Sequence, residues 1–142
     1  MTAHGAFVSF RGHEHHHTLG RRFECMGGCS IDLSYLASNP YIVELEVIRD
    51  GTYRRWEISR ELLVEGMTEP AGLGMVHVCP TGGMPGRVSV IKRVALATHV
   101  ELILPRRRLQ ELLDRSHDIV PAGAESDHYG WDAVFAALGG GC

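Results

Sequence analysis

The feature that most constrains this chain is Asp50-Gly51, set between two runs that alternate in polarity. Val43, Leu45 and Val47 share one face of residues 41–49, and Glu44 and Glu46 share the other, the period of a half-buried strand. An Asp-Gly pair between such runs signals a two-residue hairpin, because a type I′ turn needs positive φ at both central residues. Residues 52–58 are then the return strand, pairing Leu45 with Trp56 and Val43 with Ile58 on the buried face. The same register sets Glu46 opposite Arg55, which is favourable, and Glu44 opposite Glu57, which is not.

Other elements follow from this anchor. Residues 6–11 and 31–35 read as short strands, and the polar segment 12–20 reads as a His-rich loop. Ser59 can cap a short helix over 60–65, with Glu61 in its first turn and Gly66 as its stop. Residues 74–79, 86–94 and 98–104 read as strands. Pro105 suits the first turn of a helix over 105–115, striped by Leu109, Leu112 and Leu113. Asp127 can cap a last helix in which Trp131, Val134, Phe135 and Leu138 recur at helical spacing. Strands joined by tight turns pair antiparallel. The expected class is α+β, an antiparallel sheet packed with helices, in a single domain over residues 1–142.

With 142 residues and 44% hydrophobic content, the chain can bury a core without staples. Its net charge of -3 argues against a dedicated nucleic-acid binder, which is usually basic. No apolar run reaches the ~20 residues of a membrane span, and no basic segment leads into an apolar stretch at the N-terminus. The expected compartment is the cytoplasm, with no direct membrane insertion and with Cys25, Cys29, Cys79 and Cys142 as reduced thiols.

A further set of residues carries a family likeness. Leu33-Ser34-Tyr35 is followed by Asn39-Pro40-Tyr41 leading into a strand. Then comes Trp56-Glu57-Ile58-Ser59-Arg60-Glu61-Leu62-Leu63-Val64-Glu65-Gly66. Pro70, Gly72 and Gly74 precede a strand ending in Pro80, and Val120-Pro121-Ala122-Gly123-Ala124-Glu125 follows the leucine-striped helix. In order and spacing these resemble the SsgA-like family of actinobacterial sporulation and cell-division proteins, over roughly residues 33–138 of a family-like core at 21–142. Asn39 stands where the family has Asp, and Cys79 where it often has Trp. The histidines before Arg21 are foreign to the pattern, which marks a divergent paralogue. The resemblance implies a Whirly-like, guide-RNA-binding-protein-like fold assembled as a homo-oligomer, a trimer. It also implies a non-enzymatic role in septum placement, at the septum, through contacts with FtsZ or other SsgA-like proteins.

Two candidate sites stand beside that reading. His15 and His17, with Cys25 and Cys29, have the donor types of a zinc centre, although their spacing is that of no common zinc ribbon; the bland alternative is a solvated His-rich loop with no cofactor. Arg106, Arg107 and Arg108 open a helix, where positive charge opposes the macrodipole. They could meet an acidic protein tail or a single-stranded nucleic acid, with Lys92 and Arg93 enlarging the patch. The alternative is a solvated face on which Glu111 pairs with Arg107 or Arg108. Catalysis finds little support, since no P-loop, Gly-x-Ser-x-Gly elbow or zinc-protease helix motif is present, and the alternative is Cys79 with a histidine as a nucleophile pair. Cys79 ends an apolar strand and reads as a packing cysteine.

Overall fold

The structure, a computed structural model, describes residues 4–19 and 24–128. Its elements are β1 (Gly5–Thr18), β2 (Glu24–Leu36), β3 (Ile42–Arg49), β4 (Thr52–Ser59), α1 (Arg60–Gly66), β5 (Val76–Pro80), β6 (Arg87–Ala95), β7 (Thr98–Pro105), α2 (Arg106–Ile119) and α3 (Glu125–His128). The strands form one antiparallel sheet in the order β4-β3-β2-β1-β7-β6-β5. The class is α+β.

The hairpin is as its sequence requires. Asp50 and Gly51 both have positive φ, 50° and 77°, and Leu45 pairs with Trp56, Val43 with Ile58 and Glu46 with Arg55. Glu44 does oppose Glu57, and Arg55 lies between Glu44 and Glu46, 4.0 and 3.6 Å from their carboxylates. Ser59 accepts a hydrogen bond from the Leu62 N–H, capping α1.

The sheet curls around a single core. α1 follows β4 yet also packs against β5 at the far end of the sheet, so it bridges the two edges. The close approach depends on Gly66. A Cβ there would lie 2.2 Å from Val78 Cγ1 and 2.8 Å from the Val78 carbonyl. Gly66 is therefore buried inside α1 as a contact surface rather than acting as the stop, and the C-cap is Met67. α2 lays Leu109, Leu112 and Leu113 on the concave face, among Val8, Leu33, Leu45, Val90 and Leu102.

Two expectations are corrected. Of the segment 12–20 expected to be a loop, residues 12–18 are strand, because β1 runs on to Thr18, pairing with β2 on one side and, from His13, with β7 on the other. Polar residues form a strand here because the pairing is supplied from outside the segment. Asp127 lies inside α3 and not at a cap before it; the helix expected over Trp131, Val134, Phe135 and Leu138 lies outside the described residues.

β1 uses its two halves differently. Its first half has no β7 partner, and α2 lies along it. Arg108 donates to the Ser9 carbonyl at 2.9 Å and Arg115 to the Phe7 carbonyl at 3.0 Å, which satisfies acceptors that a missing strand would have met.

Candidate functional site

The first turn of α1 places Arg60 in the interior, with 3% of its surface exposed. Its guanidinium donates to the carbonyls of Ser116 at 3.2 Å and Val120 at 2.7 Å, and pairs with Glu125 at 3.0 Å. A cation at the C-terminus of α2 supplies a donor to the Val120 carbonyl and a second one to the Ser116 carbonyl, which also accepts from the Val120 N–H at 2.9 Å, and it complements the helix dipole. The same guanidinium stacks on Tyr35, 4.9 Å from the ring centre. The Tyr35 hydroxyl donates to the Pro40 carbonyl at 2.9 Å, and the Arg60 N–H donates to the Tyr41 carbonyl at 2.8 Å. The Gly123 N–H reaches back to the Glu125 carboxylate, and with Arg60 it holds that carboxyl below the usual range. Around this hub opens a cleft of about 330 Å³, lined by Arg60, Glu61, Val64, His117, Gly123 and Glu125. Burial and the charge of Arg60 push His117 below the ordinary imidazole range.

The arginines at the start of α2 are put to three different uses. Arg106 donates to the Met67 carbonyl and ties α2 to the loop after α1. Arg108 pairs with Glu111 at 2.8 Å and reaches β1. Arg107 is the exposed one of the three, lining a groove with Gln110, Glu111 and Asp114. Lys92 does not join the patch, because its ammonium lies over the Trp56 ring.

The histidine segment is divided between the two faces of the sheet. Ala6, Val8, Gly12 and Glu14 point inward in alternation. Glu14 is thus a carboxylate at a core position, with no exposed surface. It reaches Arg49 at 3.2 Å, Arg54 and His16. Gly27, at a φ of 93°, is its partner on β2, just where the β1–β2 register shifts. Burial raises the Glu14 carboxyl, but hydrogen bonds from Arg54, His16 and Arg49 outweigh it and hold the pKa at about 2.

His15 and His17 face the other way, where they meet Glu101 of β7, and the three donors lie within 4.8 Å of one another. Burial raises the Glu101 carboxyl, while hydrogen bonds from Ser89 and His17 lower it further, for a net downward shift. The cysteines are not part of that group. Cys29 is in the core, its thiol pushed up by burial, and Cys25 is exposed opposite His15 on β2. Burial likewise pushes up the Cys79 thiol.

Residues 29–125 match the family model described as the Streptomyces sporulation and cell division protein, SsgA. The chain belongs to the SsgA family. It is 30% identical over 126 residues to the sporulation-specific cell division protein SsgB of Frankia casuarinae, covering 84% of this chain and 87% of that one. It is 36% identical over 109 residues to SsgB of Kineococcus radiotolerans, covering 75% and 66%. The crystal structure of an SsgA-like sporulation-specific cell division protein from Thermobifida fusca superposes with a TM-score of 0.73 at 24% identity, over 97% of this chain and 99% of that one. That likeness establishes a shared fold. Tyr35, Pro40, Tyr41, Arg60 and Glu125, scattered along the chain and all within the stretch that the family model matches, meet at the α1–α2 hub. His15 and His17 lie before the stretch that the family model matches, whereas Glu101 lies within it.

Glu14 and Glu101 are residues that pattern reading does not single out, and it takes in Arg60 only as one member of the family-like run over residues 56–66. Arg60 follows a helix cap and looks like an ordinary exposed first-turn residue. Glu14 sits in a polar run. Glu101 lies on the polar face of a strand whose other face is Val100, Leu102 and Leu104. The one available signal was the spacing of Glu14, at the inward period of Ala6, Val8, Phe10 and Gly12.

Proposed function

We propose that this SsgA-family chain is a non-enzymatic regulator of sporulation-associated cell division, acting in the cytoplasm at the septum by binding other proteins. The observation that carries the reading is the similarity, over most of the chain, to relatives named sporulation-specific cell division proteins. The side-chain chemistry supports it: the buried carboxylate is locked to arginines, and the Cys29 and Cys79 thiols are pushed towards their unreactive form. No helix among the described residues is long and apolar enough to cross a membrane.

The proposed partners are FtsZ and other SsgA-like proteins, met by a Whirly-like homotrimer. Exposed apolar side chains favour self-association. Leu73 and Leu96 are 98% and 90% exposed, and β4 and β5 are sheet edges. Single-stranded nucleic acid is a poorer match, because base stacking needs aromatics along a positive groove. Trp56 is buried, and Tyr53 stands on the opposite face of β4.

The test pairs two titrations, of an FtsZ C-terminal peptide and of oligo-dT, against the wild-type protein and Arg107→Glu. Arg107 is the informative position, since reversing Arg106 or Arg108 would also break contacts within the chain. Peptide binding weakened in Arg107→Glu, with only salt-sensitive oligo-dT binding, supports the reading. Submicromolar, salt-resistant oligo-dT binding overturns it. Light scattering that shows only monomer at micromolar concentration would defeat the trimer.

A further inference from the structure

His15 and His17 are two residues apart on a strand, so their side chains leave the same face of the sheet. Glu101 is the β7 residue paired with His15. His17 Nε2 lies 2.9 Å from Glu101 Oε1, and His15 Nδ1 lies 3.7 Å from the same oxygen. The other oxygen, Oε2, accepts the Ser89 hydroxyl at 2.6 Å, and Ser89 in turn shares a hydrogen bond with Thr81 at 2.7 Å. Two imidazole nitrogens and one carboxylate thus converge from two paired strands, and a hydroxyl relay orients the carboxylate from behind.

We propose that His15, His17 and Glu101 form a binding site for one divalent late first-row metal ion, with zinc as its best-fitting occupant. Imidazole and carboxylate donors suit zinc and its neighbours. A tetrahedral ion at ~2.0–2.1 Å from each donor sets the donors roughly 3.3 Å apart. The two separations from Glu101, 2.9 and 3.7 Å, bracket that spacing, and the two histidine nitrogens lie within 4.8 Å of each other. The side chains are partly buried, at 17% exposed for His15, 44% for His17 and 15% for Glu101, so the donors are held by the ladder yet open to an ion from solvent. Three protein ligands leave a fourth position for water or for a donor from another molecule. Ser89 supplies the outer-shell hydrogen bond that metal-ligating carboxylates ordinarily have. The set differs from the two-histidine, two-cysteine centre that donor types alone suggest: Cys29 is committed to the core, and Cys25 lies outside the group.

The full chain, made without an affinity tag and dialysed against chelator, is titrated with Zn²⁺ by calorimetry. The expected result is one ion per chain. Glu101→Gln and His17→Gln should each weaken binding at least tenfold, and Ser89→Ala by roughly tenfold through the freed carboxylate. Cys25→Ser and His13→Gln should leave binding unchanged. Glu101→Gln preserves size and hydrogen-bonding capacity, and circular dichroism of each metal-free variant checks that it is folded. Co²⁺ gives an independent readout: weak visible ligand-field bands, with no intense thiolate charge-transfer band in the near ultraviolet. Absence of saturable Zn²⁺ uptake by the wild type overturns the proposal. So does binding that survives both Glu101→Gln and His17→Gln, or a thiolate charge-transfer band abolished by Cys25→Ser.

Discussion

The Lys92 ammonium lies 5.4 Å from the centre of the Trp56 ring, although four strands separate β6 from β4 in the sheet. Only a tightly curled sheet brings them together. Lys92 sits on the core face of β6 with Val88 and Val90, where its stem covers the indole and its charge rests over the ring. The contact closes the open side of the curl near the bridge made by α1.

Trp56 is therefore both the hairpin's core residue and part of the closure. Trp56→Ala should cost about 3–5 kcal/mol of stability. Lys92→Ala should cost only about 0.5–1 kcal/mol. Urea denaturation midpoints for the two variants measure the difference. Equal effects would mean that the closure, and not core packing, carries the contribution of Trp56.

Gly66 and Val78 form the tightest approach between α1 and β5. Gly66→Ala should destabilise by about 1–3 kcal/mol through overpacking. The double variant Gly66→Ala/Val78→Ala should recover only a small part of the loss, since Val78→Ala removes Cγ1 but leaves the residue 78 Cβ and carbonyl 2.4 and 2.8 Å from the new methyl. Additive thermal shifts would show that the helix moves aside freely.

Glu14 makes stability depend on acid. Its folded pKa of about 2 lies below the ordinary 4.5, so the unfolded chain takes up its proton first as the pH falls. The stabilisation is complete above pH ~4.5 and is lost progressively down to about pH 2. One such group contributes a slope of at most ~1.4 kcal/mol per pH unit. Glu14→Gln should flatten the curve of melting temperature against pH across that window, and lower stability at neutral pH by leaving Arg49 and Arg54 without their carboxylate. A variant curve parallel to wild type would place the acid sensitivity elsewhere.

Arg60 joins α1 to the end of α2 through contacts that need a fork of donors. Arg60→Ala should cost about 3 kcal/mol, because the Val120 carbonyl loses its donor and Glu125 loses its cation. Arg60→Lys should recover less than half of that, since an ammonium cannot span Val120, Ser116 and Glu125 together. Hydrogen exchange at the C-terminal turn of α2 should rise in both variants. Unchanged exchange there would argue that Arg60 does not anchor the helix end.

The hairpin at Asp50-Gly51, the cap at Ser59 and the stripe of α2 were legible because each is decided by residues within a few positions of one another. Period-2 alternation with an Asp-Gly turn admits one register, and that register is observed. The likeness to the SsgA family was legible too, because it rests on order and spacing along the chain. The role of Gly66 was not, since a glycine at a helix end reads as a stop unless the strand packed against it is known.

The sequence by itself determined the local elements, the antiparallel character of the sheet and the family to which the chain belongs. Only the tertiary structure decided that the histidine segment is a strand, that Glu14 is buried, and that His15 and His17 look towards Glu101. The physical reason is that a strand is made by its neighbours. The hydrogen bonds that hold residues 13–18 in the sheet come from β2 and β7, and Arg49 and Arg54, which make a core position tolerable for a carboxylate, lie 35 and 40 residues away from Glu14 in the chain. No window of sequence around residue 14 contains that information.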